Sequence, residues 1–406
     1  MKTLPPTFAR ENEDYITLLP LKKLAKTGLI PTLKTTMSRA KMLNTLLEFS
    51  ESSPENEKIV RDWLDVVAKE GIKDVYIKKL NLNFISEEVL KTDEKVIGIL
   101  EKEIKNINNR NLVGNIYENT LELVKYEIVY DDVQGKVISL HFCRMIHWYC
   151  KPKGVYGDWY PVFIDIFVDK GYIVGRAKPK SMMFEFMPNG FDLEMAKRIA
   201  TQAEIFRAMD SALKYLGLET APAREVRDIF RSKLYEILKK YTYTPHEIKK
   251  SIDDKIMDIE RVAEEIRCDI CEIGDSYAND IKSDLFNMAE KYFSISFPDK
   301  QIFIKDREAY PLIIEATDEE ESHVEQTAGL EEPLQSKAIF FDNKKMMQKS
   351  GLCDCIKMCY MRQDNIYSSE HFKVKFLVNG GYCMCKFFEF TLEEDIKHVL
   401  LTIIDA

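Results

Sequence analysis

The chain has few of the residues that interrupt regular structure, and it lacks the familiar catalytic signatures. Its 406 residues include only 16 Gly and 14 Pro, so long flexible linkers are not expected. It contains no P-loop, HExxH, GxSxG or GxGxxG motif, so no nucleotide-dependent, zinc-peptidase or serine-hydrolase chemistry is predicted. We therefore expect no cofactor, and the sequence favours a binding surface over a reaction.

Long apolar runs are also absent. No stretch approaches the roughly 18 apolar residues that a membrane-spanning helix needs. The first residues carry Lys, Arg and Glu without an apolar run, so no secretory leader is expected. Nine cysteines in such a chain are expected to be reduced thiols. These features predict a cytoplasmic protein, or a nuclear one in a eukaryote, without a membrane partner.

Basic residues are outnumbered by acidic ones, and the formal net charge is −9. Residues 301–406 hold 12 Lys and Arg against 19 Asp and Glu, so 12 − 19 gives −7 for that segment. A generally basic nucleic-acid coat is therefore excluded, and any polyanion has to meet a local basic patch. The acidic C-terminal segment is better suited to a protein partner.

The hydrophobic periodicity changes along the chain and predicts an α+β protein with three parts. Helical spacing dominates residues 1–115, which we expect to form a small helical domain. Period-two alternation begins near residue 121, and residues 160–168 and 172–177 flank a tight-turn sequence typical of a hairpin. Residues 116–298 are predicted to combine this antiparallel sheet with long helices, one of them rich in Ile after Pro245. Residues 299–406 are predicted to form an acidic β domain, with a mobile loop at 318–332.

The segment from His141 to Lys180 combines aromatic side chains with cations, and it is the first candidate for a functional surface. Rings stack on bases and cations bind phosphate, although a solvated sheet face over buried aromatics gives the same pattern. The alternation of Arg176, Lys178 and Lys180 predicts one cationic row along a strand. The candidate phosphate-binding residues of this segment are Arg144, Lys151, Lys153, Arg176, Lys178 and Lys180.

The N-terminal helices form a second candidate, because their first half is enriched in lysine and arginine. We expect Lys34, Arg39 and Lys41 to contact phosphate, although charged helix faces are also often simply solvated. The order of apolar and basic residues from 21 to 46 resembles the short SAP DNA-binding module. The spacer after Pro31 is longer than in that module.

The C-terminal third offers two weaker alternatives. Glu315 ends one apolar segment, and residues 337–341 are predicted to form a strand that leads to Asp342 and Lys344. This order is typical of restriction-type nucleases, in which two acids hold Mg²⁺ and Lys steadies the transition state. The same residues also form an ordinary turn sequence. Cysteines at 353, 355, 359, 383 and 385 alternate along predicted strands, and either core packing or a zinc site would account for them.

The order of elements resembles the centromere protein N family of kinetochore proteins. Three stretches carry the resemblance: residues 19–24 (LPLKKL) with 38–43 (SRAKML), residues 138–162 with the segments ISL, YCKP and YPV, and residues 227–238 (RDIFRSKLYEIL). The resemblance covers roughly the first 240 residues. It implies a pyrin-like N-terminal domain, DNA or nucleosome contact through the helical and β domains, and a protein partner for the C-terminal part.

The leading hypothesis is a non-enzymatic DNA-binding subunit of a larger protein assembly. The first alternative is an Mg²⁺-dependent nuclease of a phage-defence system that uses Glu315, Asp342 and Lys344. The second is a protein–protein scaffold or homo-oligomer, with the C-terminal domain or the Ile-rich helix as its docking edge.

Overall fold

The computed structural model describes the chain except for residues 2, 10–14, 107–109, 151–153, 272–273, 318–322, 328–331 and 363–368. Helices and antiparallel sheets are both extensive within the described residues, which confirms the predicted α+β class. Most of the predicted acidic loop lies outside the described residues. Its middle, His323–Thr327, is a strand and not a loop.

Helices precede and follow every group of strands along the chain. The strands are β1 Asp74–Lys79, β2 Glu122–Asp131, β3 Gly135–Cys143, β4 Met145–Cys150, β5 Gly154–Trp159, β6 Val162–Phe167, β7 Tyr172–Ala177, β8 Met183–Glu185, β9 Arg198–Ile199, β10 Ala309–Thr317, β11 His323–Thr327, β12 Cys355–Met361, β13 His371–Asn379 and β14 Tyr382–Phe387. The helices are α1 Pro6–Ala9, α2 Leu18–Thr27, α3 Arg39–Ser52, α4 Pro54–Lys69, α5 Phe84–Lys91, α6 Asp93–Glu103, α7 Thr201–Leu216, α8 Ala223–Tyr241, α9 His246–Asp253, α10 Ile256–Glu265, α11 Ala278–Ser296, α12 Ala338–Ser350 and α13 Glu393–Asp405.

The chain forms two compact units, not the three consecutive domains that the sequence predicted. Unit 1 comprises Met1–Arg227, Arg362–Phe372 and Asn379–Asp405. Unit 2 comprises Asp228–Met361, Lys373–Val378 and Ala406. The C-terminal part is therefore not a separate β domain, because β14 and α13 belong to unit 1.

The main sheet of unit 1 has the strand order β14-β1-β7-β6-β3-β2, and successive neighbours are antiparallel. The predicted hairpin is confirmed, since Val162 to Phe167 on β6 pair with Ala177 to Tyr172 on β7. A second, smaller sheet has the order β5-β4-β8-β9.

Strand β1 explains why the predicted boundary near residue 115 is wrong. The sequence predicted only helices there, but Val75 on β1 pairs with Cys385 on one side and Arg176 on the other. A strand hydrogen-bonded on both edges cannot belong to a separate helical domain. The N-terminal segment therefore folds with the central and C-terminal strands of unit 1.

Two apolar cores lie on opposite faces of the main sheet in unit 1. On β6, Ile164 belongs to the core that includes Ile205 of α7, whereas Phe163 belongs to the core that includes residues of α2, α3 and α4. Successive side chains of a strand point to opposite faces, so Asp165 shares the face of Phe163. This face therefore carries a buried charge as well as apolar side chains.

Unit 2 contains the strands β11, β10 and β12 in that order, then the Lys373–Val378 part of β13, and the helices α9 to α12. The predicted long Ile-rich helix is interrupted, since α9 ends at Asp253, α10 begins at Ile256, and Ile266–Ile270 is a π-helical turn. Residues 337–341 were predicted to be a strand, and this is wrong because Ala338 begins α12. Lys300–Phe303 is a 3₁₀ turn.

Candidate nucleic-acid interface

Arg176, which the sequence placed in an exposed cationic row, is buried on the inner face of β7. It is 1% exposed, and its Nη1 and Nη2 donate to the two carboxylate oxygens of Glu393 at 2.7 and 2.8 Å. Nη2 also lies 3.3 Å from Asp165 Oδ2. Burial alone would lower the pKa of Arg176, but the two carboxylates outweigh it and raise the pKa above its usual range. Arg176 is therefore part of an internal ion-pair network and does not face solvent.

Arg144 and Lys180 are likewise withdrawn from the surface. Arg144 Nε lies 3.3 Å from Glu204 Oε2, and both side chains are buried. Burial lowers the pKa of Arg144, and Glu204 offsets part of that effect. Lys180 donates to Asp158, which also accepts a hydrogen bond from Thr7. The expectation that these cations form an exposed phosphate-binding surface is wrong, because each has a buried carboxylate partner.

The remaining candidate cations of the 141–180 segment are Lys151, Lys153 and Lys178. Lys151 and Lys153 lie outside the described residues. Lys178 follows the end of β7 at Ala177, so it does not continue a strand row. Its Nζ lies 5.0 Å from the centre of the Tyr15 ring, and the residue is half-buried.

The sequence did contain signals of this burial. Asp165 interrupts an otherwise apolar strand whose six residues are all buried, and a charge in such a run needs an internal partner. The partner Glu393 lies 217 positions from Arg176, so local patterning could not identify it.

The cations of the N-terminal helices have a different environment. Helix α2 ends at Gly28, which adopts the left-handed conformation with φ +71°, and the chain then turns towards α3. Helix α3 begins after Ser38, whose hydroxyl accepts the Lys41 backbone N–H at 3.4 Å. Lys34 and Lys41 are exposed, and neither has an ion-pair partner among the described residues.

Three more cations flank Lys34 and Lys41. Lys26 is exposed and Lys22 is half-buried, both on α2. Arg39 is half-buried, and its Nε donates to the Ile16 carbonyl at 2.8 Å, which holds the start of α3 near the start of α2. We call these five residues, Lys22, Lys26, Lys34, Arg39 and Lys41, the α2–α3 basic surface.

The α2–α3 basic surface has no acidic residue in its own segment. Between Tyr15 and Leu47 the chain contains six Lys and Arg and no Asp or Glu. The sixth cation, Lys23, is engaged elsewhere, since its Nζ lies 2.9 Å from Glu394 Oε2 and 3.6 Å from Glu70 Oε1. An unbroken cationic segment of this kind produces a local positive field in a chain whose net charge is −9.

A shallow cavity of about 290 Å³ lies beside this surface. Gly28, Lys34, Thr35 and Thr36 are among the residues that line it. Hydroxyl and ammonium donors on a concave backbone turn are suited to phosphate oxygens.

The residues of the nuclease alternative do not have the predicted local structure. Asp342 is on helix α12, and its carboxylate lies 2.5 Å from Lys291 Nζ. Lys344 lies 2.5 Å from Glu290, and Glu315 on β10 lies 3.2 Å from Lys375. The predicted strand that leads to Asp342 and Lys344 is therefore wrong, because both residues lie in helix α12. The described residues contain no group of three or more His, Cys, Asp or Glu that could hold a metal ion.

The eight cysteines whose side chains the structure describes are free, and six of them are buried. In unit 2, Cys353, Cys355 and Cys359 are at most 1% exposed, and in unit 1 Cys383 and Cys385 are fully buried. Burial raises the pKa of Cys355 to about 12, so this thiol stays protonated at neutral pH.

No helix within the described residues is long and apolar enough to cross a bilayer. Comparison with family models, curated proteins and solved structures finds no match to this chain.

Proposed function

We propose that the protein is a non-enzymatic DNA-binding subunit of a larger assembly, and that it contacts the phosphate backbone through the α2–α3 basic surface. The observation that carries the proposal is the run from Tyr15 to Leu47, with six cations and no carboxylate. The cations withdrawn into ion pairs, Arg144, Arg176 and Lys180, have no part in this interface. The stretches at 19–24 and 38–43, which resemble the centromere protein N family, overlap α2 and the start of α3, and this supports the same assignment.

The expected binding is electrostatic and independent of base sequence. Five cations can neutralise about three to five phosphates, so the slope of log K against log salt should lie between about −3 and −4.5. Over a rise from about 50 to 200 mM salt, the affinity should fall by about 60- to 500-fold. A fluorescence-anisotropy titration of a labelled duplex at several salt concentrations measures this slope. An affinity that does not depend on salt, or no binding at low salt, contradicts the proposal.

A partner protein is proposed for unit 2, on the basis of its charge. Residues 253–290 contain 12 Asp and Glu against 4 Lys and Arg, so this segment would repel DNA. Apolar side chains stand exposed among these acids, including Met257 and Ile270, which are 75% and 73% exposed. A basic, amphipathic segment of another protein has the complementary chemistry.

The alternative of homo-oligomer formation is tested directly by light scattering during size-exclusion chromatography. A monomer mass favours a different protein as the partner of unit 2. A concentration-dependent dimer that Met257→Ser disrupts favours a second copy of this chain instead.

A further inference from the structure

Unit 2 carries a CxxC pair, Cys268 and Cys271, on the helical segment that follows α10. Helix α10 continues directly into the π-helical turn Ile266–Ile270, which contains Cys268. The backbone N–H of Cys271 closes this turn by donating to the Ile266 carbonyl at 2.9 Å. Single π-helical turns are rare and frequently occur at functional sites. The turn places both cysteines on one short helical segment.

Solvent exposure separates this pair from the other cysteines. Cys268 and Cys271 are both exposed, whereas the other six cysteines whose side chains the structure describes are buried. Cysteine is among the most frequently buried residue types, so packing does not account for two exposed thiols on one turn. A thiol exchanges with a disulfide only where the reagent can reach its sulfur. Among the cysteines that the structure describes, only this pair meets that condition.

The spacing of the pair is suited to an intramolecular disulfide. Residues i and i+3 of a helix have Cα atoms about 5 Å apart, which lies within the range of about 4.4–6.8 Å found across disulfides. Their Cβ atoms are about 5–6 Å apart and have to approach to about 4 Å. Cys271 follows the last residue of the π-helical turn, so this adjustment falls at the end of the helical segment and leaves the hydrogen bonds of α10 in place.

The Cys268 thiol has a carboxylate partner. Its Sγ donates to Glu264 Oε1 at 3.1 Å, and this hydrogen bond raises the pKa of Cys268. Glu264 is held in place by Arg267, whose Nε donates to Oε2 at 3.0 Å. Because the thiolate is the attacking species, a carboxylate that retains the thiol proton disfavours attack by Cys268.

We propose that Cys268 and Cys271 form a redox-active dithiol, which small-molecule disulfides such as oxidised glutathione convert to an intramolecular disulfide. The Cys271 thiolate attacks one sulfur of the small disulfide, and the released thiolate takes up the proton that Cys271 lost. Cys268 then loses its proton, its sulfur displaces the second small thiolate from Cys271, and that thiolate takes up the proton. Two protein thiols are thereby oxidised to one disulfide, and one small disulfide is reduced to two thiols.

The disulfide replaces the hydrogen bond between Cys268 and Glu264 and ties the end of the π-helical turn to its middle. In a reducing compartment such a disulfide is transient, and an exposed one is readily reduced again. The pair lies in unit 2 and includes no residue of the α2–α3 basic surface, so its oxidation does not depend on DNA binding.

Peptide mass analysis of the full-length protein tests the dithiol. The reduced protein is incubated without denaturant in an excess of oxidised glutathione, and the remaining thiols are then blocked with N-ethylmaleimide. We expect Cys268 and Cys271 to be linked to each other within one chain, and dithiothreitol to restore both thiols. Cys268→Ser should stop at a mixed disulfide between Cys271 and glutathione, because the second attacking thiol is missing.

Glu264→Gln tests the order of attack. Combined with Cys271→Ser, it should raise the rate at which glutathione attaches to Cys268 by about threefold, since the thiolate fraction rises more than the thiolate nucleophilicity falls. Glu265→Gln is the matched control, because it removes the same charge from the neighbouring acid, which is paired with Arg261 at 2.6 Å. It should leave the rate of Cys268 close to that of Cys271→Ser alone.

Three outcomes of the wild-type incubation overturn the proposal: glutathione on both cysteines without a bond between them, disulfides only between separate chains, or full maleimide labelling of both thiols. Equal rates in the Glu264→Gln and Glu265→Gln proteins overturn the assigned order of attack. The wild-type protein alone decides whether the dithiol is redox-active, so this result does not depend on whether a variant folds.

Discussion

The buried position of Arg176 leads to a prediction that separates a structural role from a DNA-binding role. Arg176→Met keeps most of the apolar stem but removes the guanidinium group that Glu393 and Asp165 share at 2.7 to 3.3 Å. Two buried carboxylates then lose their counter-charge. Breaking a buried pair in this way costs about 3–5 kcal/mol, which is a large part of the stability of an ordinary domain.

The assay is urea denaturation followed by tryptophan fluorescence. The three tryptophans, Trp63, Trp148 and Trp159, all lie in unit 1, so the signal reports the unfolding of the unit that contains Arg176. The variant should unfold at a distinctly lower urea concentration. Adding Glu393→Gln should recover part of the loss, because it removes one of the stranded charges.

Lys34→Gln is the matched control, since it removes one positive charge from an exposed position in the same unit. We expect its denaturation midpoint to change little. The reasoning is refuted if Arg176→Met unfolds at the wild-type midpoint. It is also refuted if Arg176→Met stays folded and its DNA affinity falls as much as that of a variant that has lost an exposed phosphate contact.

Three further predictions concern unit 1 and the exposed thiols. The pKa of Glu70 rises from 4.5 to about 7 on folding, so the folded state binds more protons between these values and loses stability as the pH rises through them. In urea denaturation, the stability of Glu70→Gln relative to wild type should therefore increase by up to about 3 kcal/mol between pH 4.5 and pH 8. An equal stability difference at both pH values contradicts this. A Cβ at Gly175 would lie 2.5 Å from Ile205 Cγ2, so Gly175→Ala should destabilise the protein by about 1–3 kcal/mol. A Cβ at Gly98 in α6 meets nothing within 4 Å, so Gly98→Ala should stabilise the protein by up to about 1 kcal/mol. The same denaturation assay measures both variants, and equal midpoints would contradict the close packing at Gly175. A thiol reagent should label the exposed Cys268 and Cys271 in the native protein and leave the buried strand cysteines unlabelled until denaturant is added. Peptide mass analysis measures the labelling, and equal labelling rates would argue against the burial of the strand cysteines.

Part of this fold could be predicted from sequence periodicity. The hairpin of β6 and β7 was predicted because two apolar runs flank Asp169-Lys170-Gly171, and Gly171 does take the positive φ of +68° that such a turn requires. Long helices were also predicted within residues 116–298, and α7, α8 and α11 lie there.

The errors arose where distant segments decide the structure. Strand β1 is only six residues long and is bounded by helices, and its identity comes from two partner strands far away in the sequence. Arg176 was misplaced for a similar reason, since an alternating charged residue on a strand looks solvated unless its partner on α13 is known. Residues 337–341 were predicted as a strand because a run of four apolar residues does not distinguish a buried strand from a helix start.

The most direct test of the central claim compares two triple variants that remove the same charge from unit 1. Lys26→Gln, Lys34→Gln and Lys41→Gln neutralise the exposed lysines of the α2–α3 basic surface. Lys91→Gln, Lys95→Gln and Lys102→Gln neutralise exposed lysines of α5 and α6. In duplex titrations across salt, the first triple should lose about 2.7 from the magnitude of the salt slope and bind at least about tenfold more weakly, whereas the second should remain close to the wild type. Equal losses in both variants would show that net charge alone governs binding, and an unchanged first triple would exclude the α2–α3 basic surface.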